Sequence, residues 1–226
     1  MTAEGKRIMT DLTARLEACY SGAVFDVLRD LGHANCVLPR TILAVDPDTR
    51  ICGRVFTIRG RPDDTIDAHQ SLLAWTELLT VVPKDHVAIC QPQDDVRALM
   101  GELSAEALQS RGVRGYIVDG GSRDNAFIRK LGFPVFARFR TPRDIVAAWM
   151  PEAYGEPITI GQVRIATGDW VVADIDGIVV IPAVLAEEVV GRVEAVMQQE
   201  NLVRKAILDG VSPQIVMRCM MRVSDG

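Results

Sequence analysis

The chain has 226 residues, 48% of them apolar and 24% charged, with a net charge of −5. This is an ordinary globular balance at a length that buries a sizeable core, which argues against disorder and fibrous repeats. The acidic charge, with no basic stripe, argues against nucleic acid or an anionic membrane as partner.

In chain order, Thr10–Leu31 reads as helical, with Leu12, Leu16, Cys19 and Ala23 at spacings of three and four. Ser21-Gly22 allows a break into two helices, and Gly32 suits the C′ position. Thr41–Arg59 reads as two strands, Ile42–Val45 and Val55–Ile58, around a Pro47-Asp48 turn. Asp67–Val81 reads as a helix with Leu72, Leu73, Trp75 and Leu78 as its apolar positions, and Val87–Cys90 as a buried strand. Val96–Ser110 has helical tendency, but Gly101 inside a helix would cost about 1 kcal/mol. The pattern therefore predicts a short helix ending near Met100 and a second helix after Gly101 with Leu103, Ala107 and Leu108 on its apolar face.

Tyr116–Val118 is the next expected strand, followed by a tight turn at Asp119-Gly120-Gly121, a helix over Arg123–Leu131 ended by Gly132, and a strand over Pro134–Ala137. Ile158–Ile165 forms strands around Gly161-Gln162. Trp170–Ala173 and Ile178–Ile181 flank a hairpin turn at Asp176-Gly177. A long helix runs from Pro182 to about Leu208. No linker or internal repeat is visible. The chain therefore reads as one α/β domain over 1–226, with N-terminal helices in 1–32 and a C-terminal helix at about 183–209.

The five cysteines, Cys19, Cys36, Cys52, Cys90 and Cys219, form no C-x-x-C pair, so neither a zinc knuckle nor a dithiol site is expected. Met1–Leu16 lacks the apolar run of a signal peptide, and no segment approaches the roughly 20 apolar residues of a bilayer span. A reducing cytoplasm is the expected location.

No phosphate-binding G-x-x-x-x-G-K-[ST], no H-E-x-x-H and no G-x-S-x-G is present, and His33, His69 and His86 are far apart. The informative stretch is Gly101–Asp124. A helix starting at Gly101 leaves the amides of Glu102, Leu103 and Ser104 as donors for a carboxylate or phosphate, and its dipole adds roughly 0.3–1 kcal/mol for an anion. Asp119–Asp124 links a strand to a helix, at the strand's carboxyl end where α/β proteins commonly bind ligands. Arg123 offers a planar fork for a carboxylate, and Asp124 offers hard oxygens for magnesium or manganese. Each residue also has a structural reading: Glu102 as a first-turn acid, Asp124 as a cap, Glu200 on a solvated face. Asp174 and Asp176 form a tempting metal pair, but the hairpin needs Asp176-Gly177 for backbone reasons.

The run GELSAEALQSRGVRGYIVDGGSRD resembles the RraA-like family, which includes 4-hydroxy-4-methyl-2-oxoglutarate aldolases. Glu102, twenty intervening residues and then Arg123-Asp124 match the family's acid-to-Arg-Asp spacing. SGAVFDVLRDLG, LGFPVFARFRTPRD and TGDWVVADIDGIVVIP resemble further family segments, with Thr167 where proline is usual, so the likeness spans nearly the whole chain. The resemblance implies a swivelling β/β/α-type sandwich, assembled as a homotrimer or hexamer. It implies a class II aldolase or lyase that uses Mg2+ or Mn2+, cleaves a 4-hydroxy-2-oxo acid to pyruvate, and decarboxylates oxaloacetate. By the same resemblance Asp124 is the direct metal ligand, and Arg123 holds the substrate and steadies the enolate. Glu102 acts through water and in protonation, while Gly101, Leu103 and Ser104 bind the substrate carboxylate. Glu200, from a neighbouring subunit, reaches the metal through water. The distal half of the substrate is expected to meet loops such as Arg140–Pro151 or a neighbouring subunit. Two departures stand out: Glu102 replaces the usual aspartate, and Asn125-Ala126-Phe127 follows Asp124 where relatives often carry another acid. The alternative is a non-catalytic regulator that binds a protein such as a ribonuclease or helicase.

Overall fold

A computed structural model describes residues 12–214, so Thr10, Asp11 and Cys219 lie outside the described residues. Its organising element is β2 (Ile51–Pro62), a strand of 12 residues buried along most of its length. One edge of β2 pairs in parallel with β3 (His86–Gln91). The other edge pairs antiparallel with β9 (Trp170–Ala173) over Ile51–Arg54 and with β6 (Trp149–Tyr154) over Ile58–Pro62, where the register shifts between Arg59 and Gly60. Parallel strands β4 (Gly115–Ser122) and β5 (Val135–Arg140) extend the sheet beyond β3. Antiparallel β1 (Leu43–Ala44) closes that side, and β10 (Ile178–Ile181) closes the other.

Alternate side chains of a strand face opposite sides of a sheet, and the core accordingly divides into one cluster on the inner face and two on the outer. On the inner face Ile51, Val55, Ile89, Ile117, Phe136 and Val180 pack against Ile158, Ile160, Val163 and Ile165. The last four come from the hairpin of β7 (Ile158–Ile160) and β8 (Val163–Ile165). On the outer face of the parallel half, Phe56, Cys90, Tyr116 and Val118 pack on three helices. These are α2 (Ala68–Val81), α3 (Glu102–Ser110) and α4 (Asn125–Leu131). On the outer face of the antiparallel half, Trp170, Val172, Val179 and Ile181 pack on α1 (Ser21–Asp30) and α5 (Ala186–Leu208). A curled mixed sheet, with a β-hairpin on one face and helices on the other, is the β/β/α arrangement the sequence led us to expect.

Several elements depart from the sequence reading. Val96–Met100 is not helical. Ala98, Leu99 and Met100 are all buried, a run that fits no helical stripe, and the segment lies along β4 with an isolated bridge from Ala98 to Gly121. Asp119-Gly120-Gly121 is not a tight turn, because β4 continues irregularly to Ser122. The glycine at 121 answers to space rather than to turn geometry: a Cβ there would lie 2.6 Å from the Arg97 carbonyl oxygen and from the Phe139 ring. The next helix starts at Asn125 rather than Arg123. The N-terminal break falls before Ser21 rather than at Ser21-Gly22, because Ser21 opens α1 with its amide and hydroxyl both donating to Asp174, at 2.8 and 2.6 Å.

Cys19, Cys36, Cys52 and Cys90 are buried free thiols. Burial pushes the Cys19 and Cys36 thiols up to about 11 and those of Cys52 and Cys90 up to about 12. Among the described residues no helix is long and apolar enough to cross a membrane.

Candidate active site

The site forms where β4 runs out against the segment leading into α3. Leu99 N–H donates to the Gly121 carbonyl at 2.9 Å, and Arg123 N–H donates to the Met100 carbonyl at 2.9 Å. These two bonds fasten Gly101 and the first turn of α3 beside Arg123 and Asp124. Space at Gly101 is limiting: a Cβ would sit 2.8 Å from Asp124 Oδ2 and 3.3 Å from Arg123 Nε. Its φ of −144° is open to any residue, so the close approach is what glycine permits.

Asp124 precedes α4 in the left-handed region, at φ 56° and ψ 30°, and its side chain makes no cap bond to that helix. Aspartate tolerates this conformation better than most residues. The carboxylate is directed instead toward α3, where Oδ2 accepts from the Glu102 amide at 3.3 Å and lies 3.5 Å from Arg123 Nε. Asp124 thus occupies the N-cap position of α4 without its side chain capping that helix. Its side chain keeps 39% of its surface exposed, so the carboxylate is open to a ligand.

Arg123 reaches a second acid that the sequence did not single out for this site. Its Nη1 donates to Asp144 Oδ2 at 3.2 Å. Asp144 sits in the β5–β6 loop, which is held in place by Ala98 N–H donating to the Arg143 carbonyl at 2.8 Å. In the sequence Asp144 balances a local arginine cluster, and only the loop's path reveals that its counter-ion is twenty-one positions away.

Among the described residues the Glu102 carboxylate has no hydrogen bond or ion pair, and it stands half-buried on the first turn of α3. Leu103 is 78% exposed. The Ser104 hydroxyl accepts from Trp75 Nε1 at 2.9 Å, which fixes α3 to α2 and leaves the Ser104 backbone as the part that can face a ligand. Gly101, Glu102, Arg123 and Asp124 thus come together, with Leu103 and Ser104 on the same turn. Glu200 does not join them within one chain. It lies on α5 and accepts from Tyr20 hydroxyl at 2.5 Å, a bond that pushes the Tyr20 phenol up to about 12. Asp174, the other tempting acid, has its oxygens engaged by Ser21 and by the Asp176 amide at 3.0 Å.

Arg123, Asp124, Asn125, Arg140, Thr141 and Pro142 line an open cleft of about 380 Å³. Among the described residues no group of three or more His, Cys, Asp or Glu side chains converges, so the donor set is not that of a closed tetrahedral metal site. One exposed carboxylate with a second acid nearby suits a hard ion that keeps several waters and takes its remaining oxygens from a substrate. The residues present therefore fit an ion of the magnesium type.

The family model described as Aldolase/RraA matches residues 21–180, a span that includes Gly101, Glu102, Arg123 and Asp124 and stops short of Glu200. A Halalkalibacterium halodurans protein with the name "Putative 4-hydroxy-4-methyl-2-oxoglutarate aldolase" is 28% identical over 177 residues, covering 77% of this chain and 80% of its own. Among solved structures, a Pseudomonas syringae pv. tomato protein matches with TM-score 0.84 at 26% identity, covering 93% of this chain and 94% of that one. Streptomyces coelicolor RraAS2, described as an unusual member of the RNase ES inhibitor RraA protein family, matches with TM-score 0.76 at 27% identity, over 86% of this chain and 97% of that one. Relatives thus bear the names of aldolases and of ribonuclease inhibitors alike. By the family model, the fold and the acid–Arg-Asp geometry, this chain belongs to the RraA-like family.

Proposed function

We propose that this chain is a divalent-metal-dependent lyase that cleaves a 4-hydroxy-2-oxo acid to release pyruvate, and that the same site decarboxylates oxaloacetate. The observation that carries this reading is the pairing of Arg123 with an exposed Asp124 turned away from its own helix and toward the start of α3. The name borne by the Halalkalibacterium halodurans relative supports it.

Asp124 is the residue to hold Mg2+ or Mn2+, with Glu102 assisting through water and Glu200 of a neighbouring subunit doing the same in a trimer or hexamer. When bound, such an ion polarises a carbonyl as a Lewis acid. Retro-aldol cleavage and loss of CO2 from oxaloacetate both leave an enolate. Arg123 sets a fixed guanidinium where that charge develops, an effect typically worth roughly 10²–10³ in rate. The backbone of Gly101, Leu103 and Ser104, at the positive end of α3, receives the substrate carboxylate. In retro-aldol cleavage the 4-hydroxyl gives its proton through water to the Glu102 carboxylate as the C–C bond breaks and the new carbonyl forms, and Glu102 then returns a proton to the enolate carbon that becomes the methyl of pyruvate. Before an anion binds, Asp144 occupies part of the Arg123 fork. An exposed ion pair of this kind is worth about 0–1 kcal/mol, so an incoming carboxylate displaces it at little cost.

The test is Asp124→Asn, which keeps the left-handed backbone and the side-chain shape and removes the charge. Metal-dependent pyruvate release should fall by about 10²–10³. Unchanged release would assign the ligand to another residue. The second reading, a regulator that binds a ribonuclease or helicase, is favoured by the likeness to Streptomyces coelicolor RraAS2. It predicts no pyruvate release from the wild type and partner binding indifferent to Asp124→Asn.

A further inference from the structure

Three arginines lie near the end of β5, and two of them are neutralised within the chain. Arg123 is matched by Asp124 and Asp144. Arg138 is matched by Asp95 and Asp119, and lies over the Phe139 ring. Arg140 differs. Among the described residues its side chain makes no hydrogen bond, ion pair or ring contact, and it is exposed. It is nonetheless held in position, because it pairs with Ser122 across the β4–β5 ladder and Thr141 N–H donates to the Ser122 carbonyl at 3.1 Å. Ser122 immediately precedes Arg123, so the ladder sets Arg140 beside the Arg123-Asp124 pair, and both arginines line the same cleft of about 380 Å³.

We infer that Arg140 is a specificity-determining residue that binds the distal carboxylate of a 2-oxo diacid whose 2-oxo acid end is held at Arg123 and the first turn of α3. This rests on the proposed reading of that site and adds the residue that selects a diacid over a monoacid there. The charges account for the division of labour. A small diacid brings two negative groups into one cleft, and Arg123 already has two acids of its own. Of the two arginines that line the cleft, Arg140 is the one that remains unmatched among the described residues. Its planar fork meets a carboxylate through two parallel hydrogen bonds, whereas a neutral distal group would leave those donors with water alone. The cleft volume falls in the range that holds a small molecule.

The experiment is calorimetric titration of the full chain with magnesium, using two uncleaved probes that share a 2-oxo acid head: 2-oxoglutarate, a diacid, and 2-oxobutyrate, a monoacid. In the wild type 2-oxoglutarate should bind about 10- to 100-fold more tightly, the range expected for hydrogen bonds to a charged group. In Arg140→Ala and Arg140→Gln that ratio should collapse toward one. Equal affinity in the wild type, a preference that survives both substitutions, or no binding of either probe would overturn the inference. The test also separates this inference from the lyase reading. A chain that shows the Arg140-dependent preference and releases no pyruvate keeps the diacid site and loses the reaction, whereas pyruvate release without the preference does the reverse.

Discussion

Asp124 and Asp174 are the same side chain at the ends of two strands, in opposite circumstances. Asp174 is 7% exposed, and its oxygens receive the Ser21 amide and hydroxyl and the Asp176 amide. Burial pushes its carboxyl up, but those three donors and Arg50 outweigh burial and hold it below the ordinary carboxylate range. Asp124 stands on left-handed backbone with one long bond from the Glu102 amide and an exposed carboxylate. The first acid is fully engaged in joining α1 to the β9–β10 hairpin. The second is left under-engaged by the fold, as expected of a group kept for a ligand. Substitutions on the two sides should therefore separate activity from stability.

The largest effect belongs to the open side. Arg123→Ala should lower pyruvate release by about 10²–10³. Its ion pairs are exposed, so thermal or denaturant unfolding should shift by no more than about 1 kcal/mol. The buried side behaves conversely. Ser21→Ala or Asp174→Asn should destabilise the chain by about 1–3 kcal/mol at neutral pH, measured by urea unfolding, because buried donors or acceptors lose their partners. The sign with pH follows from the lowered carboxyl of Asp174. Its contribution is present above the unfolded value of about 3.9 and is lost as pH falls through the lower folded value. The gap between wild type and Asp174→Asn should therefore close only in acid, and a gap constant down to the acid transition would contradict this account of Asp174.

Next in size is Gly101→Ala. The added Cβ meets Asp124 Oδ2 at 2.8 Å, so the carboxylate must shift. A displacement of about 1 Å at such a site costs up to about 10² in rate, and magnesium titration should show weaker binding as well. The smallest effect is Asp144→Asn. It releases one arm of Arg123 from its ion pair, so KM for an anionic substrate should fall by no more than about fivefold. A rise in KM would mean that Asp144 positions Arg123 rather than competing for it.

Much of the fold was legible because the core obeys simple periods. The β9–β10 hairpin follows from two apolar runs around Asp176-Gly177, and α2 starts after Asp67, which caps it in a capping box with Gln70. Spacing and family likeness singled out Gly101, Glu102, Arg123 and Asp124, and the fold brings these four together. Long-range contacts were not legible. Val96–Met100 carries three consecutive buried residues whose position is fixed by β4, twenty or more residues away. Gly120 and Gly121 looked like a turn because glycine serves turns and close packing equally well in a sequence. The strand Trp149–Tyr154 was not foreseen, since it holds Pro151 and a charged residue and owes its strand geometry to pairing with the far half of β2, some ninety residues away. Asp144 and Arg140 belong to the same class, because a side chain's counter-ion, or its lack of one, is a property of the folded surface.

The most direct measurement is pyruvate release by the wild-type chain from 4-hydroxy-4-methyl-2-oxoglutarate and from oxaloacetate, in magnesium, in manganese and in EDTA. The account predicts release in either metal from at least one of the two substrates and its loss in EDTA. No release from either substrate under any of the three conditions would contradict the lyase reading and leave the regulator reading in its place.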